Sequence, residues 1–140
     1  MAIRVLHALD RLHETNKREV IHNTPKIHTW LHCYRNPGDK DDMHCHNGDQ
    51  TFFCLEGECT MHFPDGGKSV MKPGMIALIH GGDFYQLENT GDGPMYLIGH
   101  RSGRSGDNKH INYETRKDLN EMSPEERDRI RDGGRTPASS

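Results

Sequence analysis

The chain is poor in apolar residues, poor in aromatics and free of long hydrophobic runs. Of its 140 residues 31% are hydrophobic and 6% aromatic, with one tryptophan, Trp30. Such a composition can bury one modest core, so a single domain is expected, with part of the chain polar and weakly packed. No stretch approaches the ~20 apolar residues of a membrane span. Residues Met1 to His7 lack the apolar block and cleavage site of a secretory signal, which makes the cytoplasm the expected location. A charge excess is missing too: 18 basic residues stand against 21 acidic ones, a formal net charge of -3. That balance gives no attraction to nucleic acid or to an anionic membrane. The four cysteines, Cys33, Cys45, Cys54 and Cys59, form no Cys-x-x-Cys pair. Neither a zinc ribbon nor a thioredoxin-type site is therefore indicated, and buried free thiols are expected.

What the chain has in quantity is histidine, 11 residues, and glycine, 15. The glycines punctuate. Between about 26 and 101, short apolar or alternating runs are broken by Asn36-Pro37-Gly38-Asp39, Asn47-Gly48-Asp49, Pro64-Asp65-Gly66-Gly67, Pro73-Gly74, Gly81-Gly82-Asp83 and Gly91-Asp92-Gly93-Pro94. These are turn signals, and many short strands without helices between them argue for an all-β barrel or sandwich. Residues 1–25 read as an N-terminal arm. There Leu6, Leu9 and Leu12 fall at helical spacing, which suits a short helix on the barrel's outside. Residues 102–140 read as a charged C-terminal extension, a solvated tail with a helix. Ser123-Pro124-Glu125-Glu126 starts that helix, Gly133-Gly134 ends it, and Arg135 to Ser140 are expected to be disordered.

One histidine pair stands out by spacing. His44 and His46 are two residues apart on a strand, so both rings leave the same face and could share a divalent metal. Cys45 between them points the other way. Gln50 follows the turn Asn47-Gly48-Asp49 at the start of the next strand and can return to the same point. Further on, Tyr85, Leu87 and Asn89 share one strand face, which projects Tyr85 into the same mouth. His28, Trp30, His32 and Tyr34 share another face, lining either the cavity or a subunit interface. His80 precedes two glycines and reads as an exposed turn residue. Arg35 and Arg101 could clamp a carboxylate, but solvent exposure is the expected outcome for both.

The run Gly38, five residues, His44-Cys45-His46, three residues, Gln50, six residues, Gly57 resembles the first motif of the cupin superfamily. Gln50 stands where that motif has Glu. The run from Gly74 to Asn89 resembles the second motif: Gly74, Gly82 and Asn89 match, His80 replaces a proline, and Tyr85 stands where the third metal histidine is usual. Together the motifs cover roughly residues 30 to 100, so the resemblance to small single-domain cupins implies a double-stranded β-helix (a jelly-roll barrel). It also implies a metal site of His44, His46, Gln50 and Tyr85. Gln50 would offer a carbonyl oxygen. Tyr85 would be either a phenolate ligand or a substrate-facing general acid or base.

Oxygen-ligand character favours Fe(II), with zinc, manganese or nickel as alternatives. The resemblance implies an enzyme acting on a small organic substrate, foremost a mononuclear non-haem dioxygenase. The same site could instead act as a Lewis acid in lyase, isomerase or cyclase chemistry, or bind a small molecule without metal. A homodimer is implied as well.

Overall fold

The computed structural model describes residues 2–132. Its strands are β1 (Glu19–Asn23), β2 (Ile27–Tyr34), β3 (His44–His46), β4 (Gln50–Glu56), β5 (Cys59–His62), β6 (Lys68–Met71), β7 (Ile76–Ile79), β8 (Gln86–Asn89), β9 (Met95–Ser102) and β10 (His110–Asn112). They form a five-stranded sheet in the order β1-β2-β9-β4-β7, a three-stranded sheet β6-β5-β8, and the pair β10-β3. The pairs are antiparallel. This is the expected double-stranded β-helix. The sheet begins earlier than the turn signals suggest, because β1 already pairs with β2.

Strand alternation sorts the residues into two packed layers. Trp30, Tyr34, Phe52, Cys54, Cys59, Met61, Met71, Leu87, Met95 and Leu97 point into the barrel and form its core. Leu31 and Tyr96 face outward and meet Leu12. Leu12 belongs to α1 (Ala8–Thr15), the outside helix expected from the leucine spacing. Asn16 closes α1 in the left-handed conformation, and its side-chain oxygen accepts a 2.7 Å hydrogen bond from Tyr96 Oη. The four cysteines are free thiols, three of them buried. Burial pushes the Cys54 thiol up to about 11 and that of Cys59 to about 12, which leaves both inert.

One glycine is required by a close approach. The Trp30 indole lies across β9, and a Cβ at Gly99 would stand 2.5 Å from its ring. Gly99 thus makes room for the only tryptophan to lie flat on the barrel's inner wall.

Residues 110–112 are not a solvated tail. β10 adds to β3 in the register His110↔His46, Ile111↔Cys45, Asn112↔His44. Behind it, the Tyr113 ring meets Phe84 edge-on at 5.0 Å, and the Arg116 guanidinium covers both rings. Leu119 and Met122 are buried as well. The expected helix is present as α2 (Pro124–Asp132), where Ser123 Oγ accepts from the Glu126 N–H. Its expected stop at Gly133-Gly134 and the residues after it lie outside the described residues.

Candidate metal centre

Pairing β10 with β3 brings a third histidine to the expected pair. His44, His46 and His110 each offer a nitrogen, all within 4.8 Å of one another. His44 and His46 are almost fully buried. Their rings stand at 84° with centroids 4.9 Å apart.

The hydrogen bonds fix each ring's tautomer. A carbonyl oxygen can only accept, so His44 Nδ1 carries a proton donated to the Asp42 carbonyl at 2.6 Å. His46 Nδ1 likewise donates to the Lys109 carbonyl at 2.8 Å. His110 Nε2 donates to the Asp42 carboxylate at 2.9 Å. Asp42 therefore anchors two of the three rings, and Asn112 Nδ2 donates to it in turn. Burial alone would raise the Asp42 carboxyl, but the His110 hydrogen bond and the nearby imidazoles outweigh it and hold the acid below its usual range. Burial, reinforced by His110, pushes His44 down to about 3. Burial and then the Arg101 charge push His46 far down as well. In each ring one nitrogen is anchored by a hydrogen bond, and the other is the one available to a metal.

Gln50 and Tyr85 lie beside this cluster but are tied to one another. Gln50 Nε2 donates to the Tyr85 hydroxyl, while its Oε1 accepts from Arg101 Nε at 2.7 Å. Burial, then the Asp41 charge, push the Tyr85 phenol well above its ordinary value. Arg101 departs from the exposed position expected of it. Its side chain is buried, its Nη2 donates to His46 Nε2 at 3.3 Å, and its guanidinium lies 4.4 Å from the Trp30 ring centre. Arg35 is half-buried. The His80 side chain is 86% exposed, as its turn position suggested.

The donor set suits a divalent ion of intermediate softness, since imidazoles are good ligands for zinc, iron, nickel or copper. Two contacts must give way to one. His110 lies stacked on His44, 12° from parallel, so their lone-pair planes do not converge until a ring turns. Arg101 must release the single lone pair of His46 Nε2. His110, on the short β10, is the more exposed partner and the freer to turn.

An apolar cavity of about 730 Å³ adjoins Tyr85 on its other side. Met61, Phe63, Met71, Met75 and Ile79 line it, and none of the three histidines does.

Fold and site together define a cupin. The cupin domain family matches residues 31–99, and the chain belongs to the cupin superfamily. Its fold is similar to a double-stranded β-helix protein from Klebsiella pneumoniae, with TM-score 0.66, 20% identity, and coverage of 78% of this chain and 97% of that one. It is also similar to KdgF from Halomonas sp., with TM-score 0.58, 19% identity, and coverage of 64% and 80%. TT1209 from Thermus thermophilus aligns with TM-score 0.58, 24% identity, and coverage of 74% and 99%. None of the curated proteins matches the chain. Among the described residues, no helix is long and apolar enough to cross a membrane.

His110 is the site residue that spacing could not supply. The available signal was faint: His110-Ile111-Asn112 repeats the alternation of His44-Cys45-His46 in a stretch otherwise dominated by charge.

Proposed function

We propose that this cupin is a metal-dependent enzyme acting on a small organic substrate, with His44, His46 and His110 holding a divalent ion. The observation that supports this best is the set of three clustered imidazoles, each anchored through its other nitrogen. In this reading Gln50 and Tyr85, expected from the motifs as ligands, serve the substrate instead. Tyr85 is a protonated hydroxyl able to give up or return a proton, and Gln50 orients it and Arg101. A metal here supplies Lewis acidity, polarising a carbonyl or hydroxyl oxygen.

Non-redox chemistry of the lyase, isomerase or cyclase kind uses what surrounds the histidines. A proton donor at Tyr85 Oη and a buried cation at Arg101 stabilise developing negative charge. The dioxygenase reading is favoured by a different observation: three nitrogen ligands leave an octahedral Fe(II) with positions for both substrate and O2. A cytoplasmic homodimer remains part of the proposal. Ile76 and Leu78 on the edge strand β7 are 55% and 72% exposed, and a second subunit would cover them.

Elemental analysis tests the centre. Wild type and Tyr85→Phe should each bind one equivalent of metal, and His44→Ala and His110→Ala less than a tenth of that. Full metal content in His110→Ala would overturn the three-histidine centre, and loss in Tyr85→Phe would restore Tyr85 as a ligand. Iron with O2 uptake would select the oxygenase reading, and turnover unchanged under anaerobic conditions the Lewis-acid one.

A further inference from the structure

We propose that Arg101 is the receptor for a carboxylate on the substrate, so that the site acts on small organic acids. This rests on the metal-centre reading and names the substrate class for it.

Arg101 carries a charge that nothing around it balances. It is 7% exposed, and its hydrogen-bond partners Gln50, His46 and Tyr85 carry no negative charge at neutral pH, nor does the Trp30 ring beneath it. The charged group nearest to it over that ring is another cation, Arg18, 5.7 Å from the ring centre. Among the described residues no carboxylate pairs with Arg101. Asp42 is engaged by His110 and Asn112, and Asp41 accepts from the Leu87 N–H. A guanidinium keeps its charge at neutral pH. A buried cation without a counter-charge is costly to keep. An anionic ligand offsets that cost when it binds.

A second observation lies one strand away. His28 is the cross-strand partner of Arg101, and Gln50 is its partner on the other side. His28 is 1% exposed and stacks on Trp30 at 5.2 Å, yet its Nδ1 has no hydrogen-bond partner. The row His28, Arg101, Gln50 thus presents an unused ring nitrogen and an unmatched guanidinium side by side. Of the five guanidinium N–H groups, three serve Gln50, His46 and Tyr85, leaving two donors for a planar anion. One guanidinium balances one carboxylate. A phosphate dianion would add a charge facing Asp41 and Asp42, whose fields already reach Tyr85 and His44.

The test is a calorimetric titration of the full chain with benzoate, benzamide, acetate and inorganic phosphate, as purified and after chelation of metal. Benzoate should bind the chelated protein at least tenfold more tightly than benzamide. Arg101→Gln should abolish that preference and Arg101→Lys should restore part of it, each measured on folded, chelated protein. Equal binding of benzoate and benzamide by wild type overturns the proposal without any variant. So does a benzoate preference that survives in folded Arg101→Gln. Phosphate binding more tightly than either carboxylate overturns the carboxylate assignment. Wild type that binds benzoate through Arg101 but holds no metal supports this inference and defeats only the metal reading.

Discussion

Tyr85 separates two regions built on opposite principles. On one side His44, His46, His110, Gln50 and Arg101 are placed by hydrogen bonds, several to partners more than 50 residues away in the chain. On the other, Met61, Phe63, Met71 and Ile79 line an apolar cavity belonging wholly to the barrel strands and their turns. The polar side draws on residues 108–118, beyond the last barrel strand. The apolar side does not. Polar contacts and apolar packing are thus drawn from different parts of the chain, and perturbations should separate them.

The largest expected effect is acid lability of the metal-free protein. Burial lowers His28, His44 and His46 below their unfolded value of about 6.5. The folded state therefore refuses protons that the unfolded chain accepts. Stability is complete above pH 6.5 and falls as pH drops towards about 3, the folded value of His44. At pH 5 His44 alone should remove about 2 kcal/mol. Urea unfolding at pH 7 and pH 5 measures it, and equal midpoints would show that the polar side does not control stability.

Leu87→Ala attacks the other side. Leu87 is 1% exposed in the barrel core, and its truncation should cost about 2–5 kcal/mol, by the same amount at both pH values. Metal content should not change. Gly99→Ala probes the wall the two regions share. The added Cβ meets the Trp30 indole, so about 1–3 kcal/mol should be lost, with a shift in the emission of the single tryptophan. Unchanged fluorescence and melting temperature would show that the ring does not lie across β9. The most confined effect is Asp42→Asn. It removes the carboxylate that orients His110 and should weaken metal affinity about 10–100-fold, read by chelator competition.

The barrel was legible because its signals are local. Turn glycines and the two-residue spacing of His44 and His46 depend only on neighbours in sequence. His110 was not legible, because its role depends on a strand pairing formed 64 positions after His46. A composition rich in charge hid that pairing. Arg101 failed as a reading for a related reason. Arginine is ordinarily exposed, and its burial follows from Trp30 lying across Gly99 on a neighbouring strand, which supplies a flat aromatic surface for the guanidinium. Gln50 and Tyr85, expected from the motifs as ligands, are hydrogen-bonded to each other, a cross-strand fact that no single segment reveals.

The pairing of β10 with β3 also sets an order of events during synthesis. Every strand of the two barrel sheets has left the ribosome by Ser102, whereas His110 emerges later. A nascent barrel holds two of the three imidazoles of the proposed centre. Under that proposal the third arrives only when β10 docks, so full metal affinity would have to wait for a segment made after the barrel.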